Sequence, residues 1–323
     1  MIRRLWLVVI GLGLVAGLVL AVLVAGWFIP TALEEERTFI VPQGASLTSV
    51  AHKLEDEGFI TSADRFLVGA KVLGGKAPIM AGEYLLPVPA SGNQILSTLQ
   101  SGDVLRRFVT IPEGMPSIMV HERLMAEPLL KGDAPVPPEG SVLPESYDFE
   151  RGETRAAVLG RMQDAMKRTL AELWKARSKN IAVKTPGEAV ILASIVEKET
   201  GVPSERRMVA GLYSNRVKQG MLLQADPTII YPITKGKPLG RRIRQSEIAA
   251  VNDYNTYTMT GLPKGPITNP GRESIAAVLN PAETRALYMV ADGKGGHIFA
   301  ETLADHNANV EKWFAIRRSR GEM

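Results

Sequence analysis

The chain has no cysteine, which excludes disulfides, thiolate nucleophiles and cysteine-type zinc sites together. Histidine is scarce: of four, only His297 and His306 lie close in sequence, too little for a histidine-only metal centre, and neither a metal nor a cofactor is expected. Charge is nearly balanced, with 38 Lys and Arg against 34 Asp and Glu for a net +4. That suits an anionic membrane surface or an acidic polymer, but it lacks the density of a nucleic-acid footprint, so no nucleic-acid partner is expected. The one tight basic cluster, Arg241-Arg242-Ile243-Arg244, reads as a solvated loop edge. Gly293-Lys294-Gly295-Gly296 lacks the spacing and the Lys-Ser/Thr ending of a phosphate-binding loop. What remains is globular in composition, 45% hydrophobic and 22% charged over 323 residues, enough for two or three compact units.

The N-terminus carries the clearest local signal. Leu5–Ile29 is uncharged and rich in Leu, Val, Gly and Ala. At a rise of about 1.5 Å per residue it is long enough for a hydrocarbon core of roughly 30 Å. Arg3 and Arg4 precede it and Glu34, Glu35 and Glu36 follow it, so the positive-inside rule keeps the N-terminus in the cytoplasm and exports the rest. Trp27 is placed at the outer interface. A cleaved signal peptide is the competing reading, but its apolar region runs only about 7–15 residues.

Beyond the anchor, Thr38–Gly44 reads as a strand and turn, and Ser46 as the cap of a helix with Leu47, Val50, Ala51 and Leu54 at helical spacing. A second strand is expected at Tyr84–Val88 and a short helix over Ile95–Leu99, giving a small α+β unit closing near Thr110. Pro135, Pro137 and Pro138 stiffen a connector. A helix from about Thr154 to Arg177 carries Val158, Met162, Met166, Leu170 and Leu173 on one stripe, read as core.

The densest polar motifs lie after Ile181. Thr185-Pro186-Gly187-Glu188 is a helix start, with an N-cap, proline at N1 and a capping-box glutamate, and the helix runs to Thr200 before Gly201 and Pro203. With Leu192 at zero and about 100° per residue, Ile195 falls near 300°, Val196 near 40° and Glu199 near 340°, while Glu197 falls near 140°. Glu199 thus continues an apolar stripe. A carboxyl group there is costly to ionise, and the negative end of the helix dipole adds to the cost, so it is a candidate general acid. A frayed helix end reaching solvent is the bland alternative, and Glu197 is either a surface charge or a supporting one. Gln224-Ala225-Asp226-Pro227-Thr228 and Tyr254-Asn255-Thr256-Tyr257 supply amide, carboxyl and hydroxyl groups among turn formers, suited to a sugar or simply to turns.

Taken together, "LASIVEKET", "SER" at Ser204–Arg206, "NR" at Asn215–Arg216, "LQADPT", "YNTYTMTGLP", "GPITNPG", "YMVADGKGGHIF" and "HN" at His306–Asn307 resemble the endolytic murein transglycosylases, the MltG or YceG-like proteins of bacteria. The resemblance runs from the anchor nearly to the C-terminus. It implies an α+β protein: residues 1–4 cytoplasmic, 5–29 a transmembrane anchor, 30–110 a LysM-like α+β module, 111–180 a connector with a helix, and 181–323 the catalytic domain. It implies cleavage of the β-1,4 bond between N-acetylmuramic acid and N-acetylglucosamine inside nascent strands, leaving 1,6-anhydro ends. Implied partners are peptidoglycan glycan strands, the cytoplasmic membrane, and peptidoglycan synthases or division proteins. The family's essential acid maps onto Glu199. Glu197 is the supporting candidate, and Gln224, Asp226, Asn255 and Tyr257 are the candidates for holding sugar. The chain departs from the family at Glu139–Tyr147, where Pro-Asp-Thr-Tyr is usual, and at Ala225, where threonine is usual. A muramidase-type hydrolase and a non-catalytic wall-binding scaffold are the rival functions.

Overall fold

The computed structural model describes residues 2–30, 35–87 and 89–322, without the side chains of residues 2–9, 19, 20 and 23. It divides into two compact units, Met1–Arg107 and Phe108–Met323.

The first unit contains α1 (Ile2–Phe28), β1 (Arg37–Val41), α2 (Leu47–Asp56), α3 (Ala63–Leu73), β2 (Gly82–Leu86) and α4 (Gly92–Ser101). Pro42 and Pro87 follow the two strands directly and end them, since proline offers no ladder N–H. The second strand therefore begins and ends earlier than expected; Val88 lies outside the described residues. β1 and β2 pair antiparallel with Phe39 opposite Tyr84. Ser46, Ser62 and Ser91 cap α2, α3 and α4, accepting from N–H groups three residues on at 3.1, 3.4 and 3.3 Å, each cap worth about 1 kcal/mol. Phe39, Leu54, Tyr84, Leu86, Ile95 and Leu99 fill the core.

Trp27 differs from expectation. It is 3% exposed and sits in this core, its ring 5.6 Å from that of Phe66. Gly69 makes the slot: a Cβ there would fall 2.1 Å from the indole. Burial of so large a ring outweighs its preference for an interface. Among the described residues no helix is long and apolar enough to cross a membrane; the expected anchor, Leu5–Ile29, includes several positions whose side chains are not described.

The unit boundary falls within β3 (Arg106–Thr110), which pairs with β4 (Ser146–Glu150). Around them come α5 (Ser117–Ala126), α6 (Arg155–Lys175), α7 (Pro186–Glu199), α8 (Arg206–Lys218), α9 (Pro227–Thr234), α10 (Gln245–Ile248) and α11 (Arg272–Leu279). A hairpin of β5 (Tyr288–Ala291) and β6 (His297–Ala300) precedes α12 (Leu303–Ser319). The fold is mixed α+β with small two-stranded sheets. One apolar cluster runs from Val109 to Leu279, so residues 111–180 share their core with residues after 181. On α6, Val158, Met162 and Met166 are buried and Leu170 and Leu173 pack at the margin.

α7 is the axis of this unit. It packs against α6, α8, α9 and α11, and Ala189, Val190, Leu192, Ala193, Ser194, Ile195 and Val196 are all buried. Burying Leu192 alone stabilises by about 2 kcal/mol. Thr185 caps the helix, accepting from Glu188 N–H at 3.1 Å, but Glu188 accepts from Lys184 N–H at 2.5 Å instead of completing the reciprocal box.

Candidate active site

Because α7 is buried nearly all round, its last residue is carried to where the core ends. Glu199 stands there, partly exposed, on the wall of a cavity of about 390 Å³. Thr200 stops the helix in an extended conformation and is itself buried. Tyr213 and Arg216, one turn apart on α8, form the facing wall; Gln224, Asp226 and Tyr257 close the other sides, and Met289 of β5 contributes an apolar edge.

The Glu199 carboxyl is pushed up to about 7, first by burial and then by the Asp226 carboxylate; a hydrogen bond from Tyr213 and the charge of Arg216 pull it the other way. These are the separable causes of a shift, acting here in opposition. Burial and the neighbouring Glu199 raise the Tyr213 phenol well above its ordinary value, so it stays a donor.

Arg216 is a buried cation with an unusual anchorage. Its guanidinium donates to the carbonyls of Leu287 at 2.7 Å, Leu222 at 3.2 Å and Leu223 at 2.8 Å, and lies 5.4 Å from the ring centre of Tyr288. Tyr288 in turn stacks on His306 at 5.3 Å. Burial and the Arg216 charge depress the His306 imidazole, which keeps it neutral. Arg216 is thus held by backbone dipoles, and its positive field stays available to the cavity.

The two polar turns are knitted into one floor. Thr256 Oγ1 lies 2.9 Å from Thr228 Oγ1 and accepts from Ala225 N–H at 3.0 Å, while Gln224 N–H donates to the Thr256 carbonyl at 3.1 Å. Thr228, Asn255 and Thr256 are fully buried. Gln224 is held at φ 52°, a left-handed conformation disfavoured for a side chain with a Cβ. Tyr257 donates to Asp226 at 2.6 Å, and burial together with that carboxylate raises its phenol.

Four of the six sequence candidates, Glu199, Gln224, Asp226 and Tyr257, therefore line one cavity. Asn255 does not. Its amide donates to the carbonyls of Glu247, Ile248 and Ala250, and its oxygen accepts from Tyr257 N–H at 3.0 Å, so it fixes the loop that carries Tyr257. Glu197 also stands outside, accepting from Gly271 N–H at 2.9 Å and tying α7 to the start of α11. Tyr213 and Arg216 were not among the sequence candidates. Asn215-Arg216 stood out as a motif, but a helical arginine one turn after a tyrosine carries no local sign that it faces a carboxyl group on another helix.

The remaining motifs build walls. Glu205, from Ser-Glu-Arg, accepts from His297 N–H at 2.8 Å and lies 2.8 Å from His297 Nδ1, fixing the β5–β6 hairpin to the loop after α7. Asp292 closes the hairpin turn by accepting from the Lys294 and Gly296 N–H groups at 2.6 and 3.0 Å.

Comparison with known proteins fits this arrangement. The sequence matches the profile of the YceG-like family over residues 39–312. It is 27% identical over 312 residues to an endolytic murein transglycosylase of Bacillus subtilis, covering 87% of this chain and 85% of the relative. A Streptococcus pneumoniae protein of the same description is 28% identical over 320 residues, covering 84% of this chain but 57% of that longer protein. A crystal structure of a putative YceG-like protein from Listeria monocytogenes superposes with a TM-score of 0.52 at 26% identity, covering 85% of this chain and 99% of that one.

Proposed function

From the premise that the chain belongs to the YceG-like family, we propose that it is a lytic transglycosylase of peptidoglycan. It cleaves the β-1,4 bond between N-acetylmuramic acid and N-acetylglucosamine within nascent strands and leaves 1,6-anhydromuramyl ends. The single observation that carries this reading is Glu199, a carboxyl group held at about 7 on the wall of a cavity. Such a group is available as an acid and, once spent, as a base near neutral pH.

Glu199 gives its proton to the glycosidic oxygen as the C1–O bond breaks. The resulting carboxylate is met by the Tyr213 hydroxyl and the Arg216 charge, which favour the ionised form. It then accepts the proton of the C6 hydroxyl as that oxygen closes on C1, so no water is consumed. Asp226, oriented by Tyr257, offers negative charge to the oxocarbenium-like centre between the two steps. Gln224 presents an amide to the sugar.

Asp226 in the same cavity also gives the site a second carboxyl group, the equipment of a hydrolase, so the muramidase reading has one specific observation in its favour. End-group mass spectrometry of digested uncrosslinked glycan separates the two. Anhydro ends, lighter than reducing ends by one water and absent with Glu199→Gln, are expected; reducing ends would make the protein a hydrolase. Binding without turnover by the wild type would leave only a scaffold.

The substrate places the enzyme outside the cytoplasm. We further propose that Leu5–Ile29 anchors it in the cytoplasmic membrane and that the β-α-α-β-α order of the first unit serves as a LysM-like wall-binding module. A synthase making nascent strands is the fitting neighbour. Membrane fractionation checks the anchor: recovery in the soluble fraction at low and high salt would sink it.

A further inference from the structure

A second cavity, of about 470 Å³, adjoins the first and shares Lys198, Pro227 and Ile230 with it. We propose that this annex receives the peptide stem of the muramyl sugar at the cleavage point, and that Lys198 pairs with a carboxylate of that stem. The proposal rests on the transglycosylase reading and adds to it a determinant of substrate choice.

The walls decide the class of occupant. Pro112, Met115, Pro116, Met119 and Leu239 make them aliphatic, and no aromatic ring lines the annex. A sugar face is ordinarily received on an aromatic ring, whereas methyl and methylene groups of a short peptide suit proline and methionine walls. The floor is fixed in advance. Fully buried Asn269 donates to the Met115 carbonyl at 2.9 Å and accepts from Val142 N–H at 3.0 Å, and its own carbonyl accepts from Gly114 N–H at 3.1 Å.

The charges decide its sign. Two of the three charges at the rim are already engaged within the protein: Glu113 lies 3.4 Å from Arg206, and Lys237 pairs with Glu122 at 2.5 Å. The third, Lys198, is exposed and has no carboxylate partner among the described residues. Its side chain lies beside Gly114, where a Cβ would stand 3.6 Å from Cδ and 4.0 Å from Nζ, so the ammonium sits at the mouth of the annex. Glu197 lies beside the same glycine, its Cγ 3.5 Å from that Cβ position, and its carboxylate accepts from Gly271 N–H; among the described residues Lys198, next in sequence to the acid, is the one charge lining the annex without an ion-pair partner. A carboxylate-bearing substituent on the sugar held at Glu199 meets both demands. The aliphatic walls take its residues and Lys198 takes its charge.

The test uses the full chain and three variants of one substrate: uncrosslinked strands with native acidic stems, the same strands with stem carboxylates converted to amides, and strands stripped of stems by an amidase. Wild type is expected to favour acidic over amidated stems by about tenfold in kcat/KM, the scale of one partly exposed charge-assisted hydrogen bond, and to cleave stripped strands least efficiently. Lys198→Met should abolish the preference, the loss falling mainly in KM, and Lys198→Arg should keep it. Circular dichroism melting confirms that the exposed substitution leaves the fold intact. Equal efficiency of wild type on all three substrates, or a Lys198→Met loss that is the same for acidic and amidated stems, overturns the proposal while leaving the cleavage reaction standing. Absence of cleavage by wild type on every substrate would instead overturn the function itself.

Discussion

Replacing Glu199 by glutamine should stabilise the protein at alkaline pH and leave it nearly unchanged in acid. Below pH 4.5, the ordinary glutamate value, the carboxyl is neutral in both folded and unfolded chains, and glutamine is a close substitute in shape. Between 4.5 and about 7 the folded protein holds a proton that the unfolded chain has released, so stability falls as pH rises. Above about 7 the cost is complete, and a displacement from 4.5 to about 7 corresponds to at most about 3 kcal/mol. Glutamine bears none of it. For a unit of this size each kcal/mol moves the melting temperature by roughly 2–4 °C. The gap between Glu199→Gln and wild type should thus widen by up to about 6–12 °C between pH 4 and pH 8. Calorimetric melts of both proteins at pH 4, 6 and 8 measure it, and because the readout is a double difference, titrating groups not coupled to Glu199 cancel. A gap that stays flat across that range, or that widens toward acid, would refute a proton held by burial.

The kinetic counterpart is a fall in kcat/KM as pH rises through about 7, and two substitutions should move it in opposite directions. Asp226→Asn removes the anion that raises Glu199 and should shift the descending limb to lower pH; Arg216→Met removes the cation that lowers it and should shift the limb upward. A common direction for both would contradict the balance described, whatever the loss in rate. Thr256→Val strips Thr228 Oγ1 and Ala225 N–H of a buried partner and should cost about 2 kcal/mol, read as a lower urea midpoint. Gln224→Gly relieves a left-handed backbone and should raise stability by about 1 kcal/mol, while the lost amide lowers turnover; lower stability would show that the φ angle carries no strain.

Local chemistry made much of the fold legible. Ser46 and Thr185 cap the helices they were expected to cap, because an N-cap is a contact within four residues of chain. The α6 stripe was readable because one face of that helix is buried. α3 was not expected, since its inward residues, Ala63, Phe66, Gly69 and Ala70, include only one large apolar side chain. The helical wheel chose Glu199 by treating α7 as one-sided, yet Ala193 and Ser194 on the other side are buried as well. Glu199 reaches the cavity because α7 ends there and α8 supplies the opposite wall. Glu197, which has the same charge two residues earlier, is spent on Gly271 N–H.

What periodicity cannot register is a contact that depends on where two separate elements cross. Asn255 and Tyr257 lie within one motif and look equivalent in sequence. One is consumed in holding the other: the Asn255 amide closes on three carbonyls and its oxygen on the Tyr257 N–H, leaving the Tyr257 hydroxyl to reach Asp226. The same division recurs on α8, where Asn215 donates to the Thr284 and Ala286 carbonyls and Arg216 to those of Leu222, Leu223 and Leu287. Satisfying the guanidinium with carbonyl dipoles preserves its net charge, whereas a carboxylate partner would have cancelled it. That difference bears directly on Glu199, which the Arg216 charge lowers. A neutralised arginine would leave the Tyr213 hydrogen bond alone to oppose burial and Asp226 and would move Glu199 further upward, away from the range in which the proposed chemistry has one carboxyl group both give a proton and take one back.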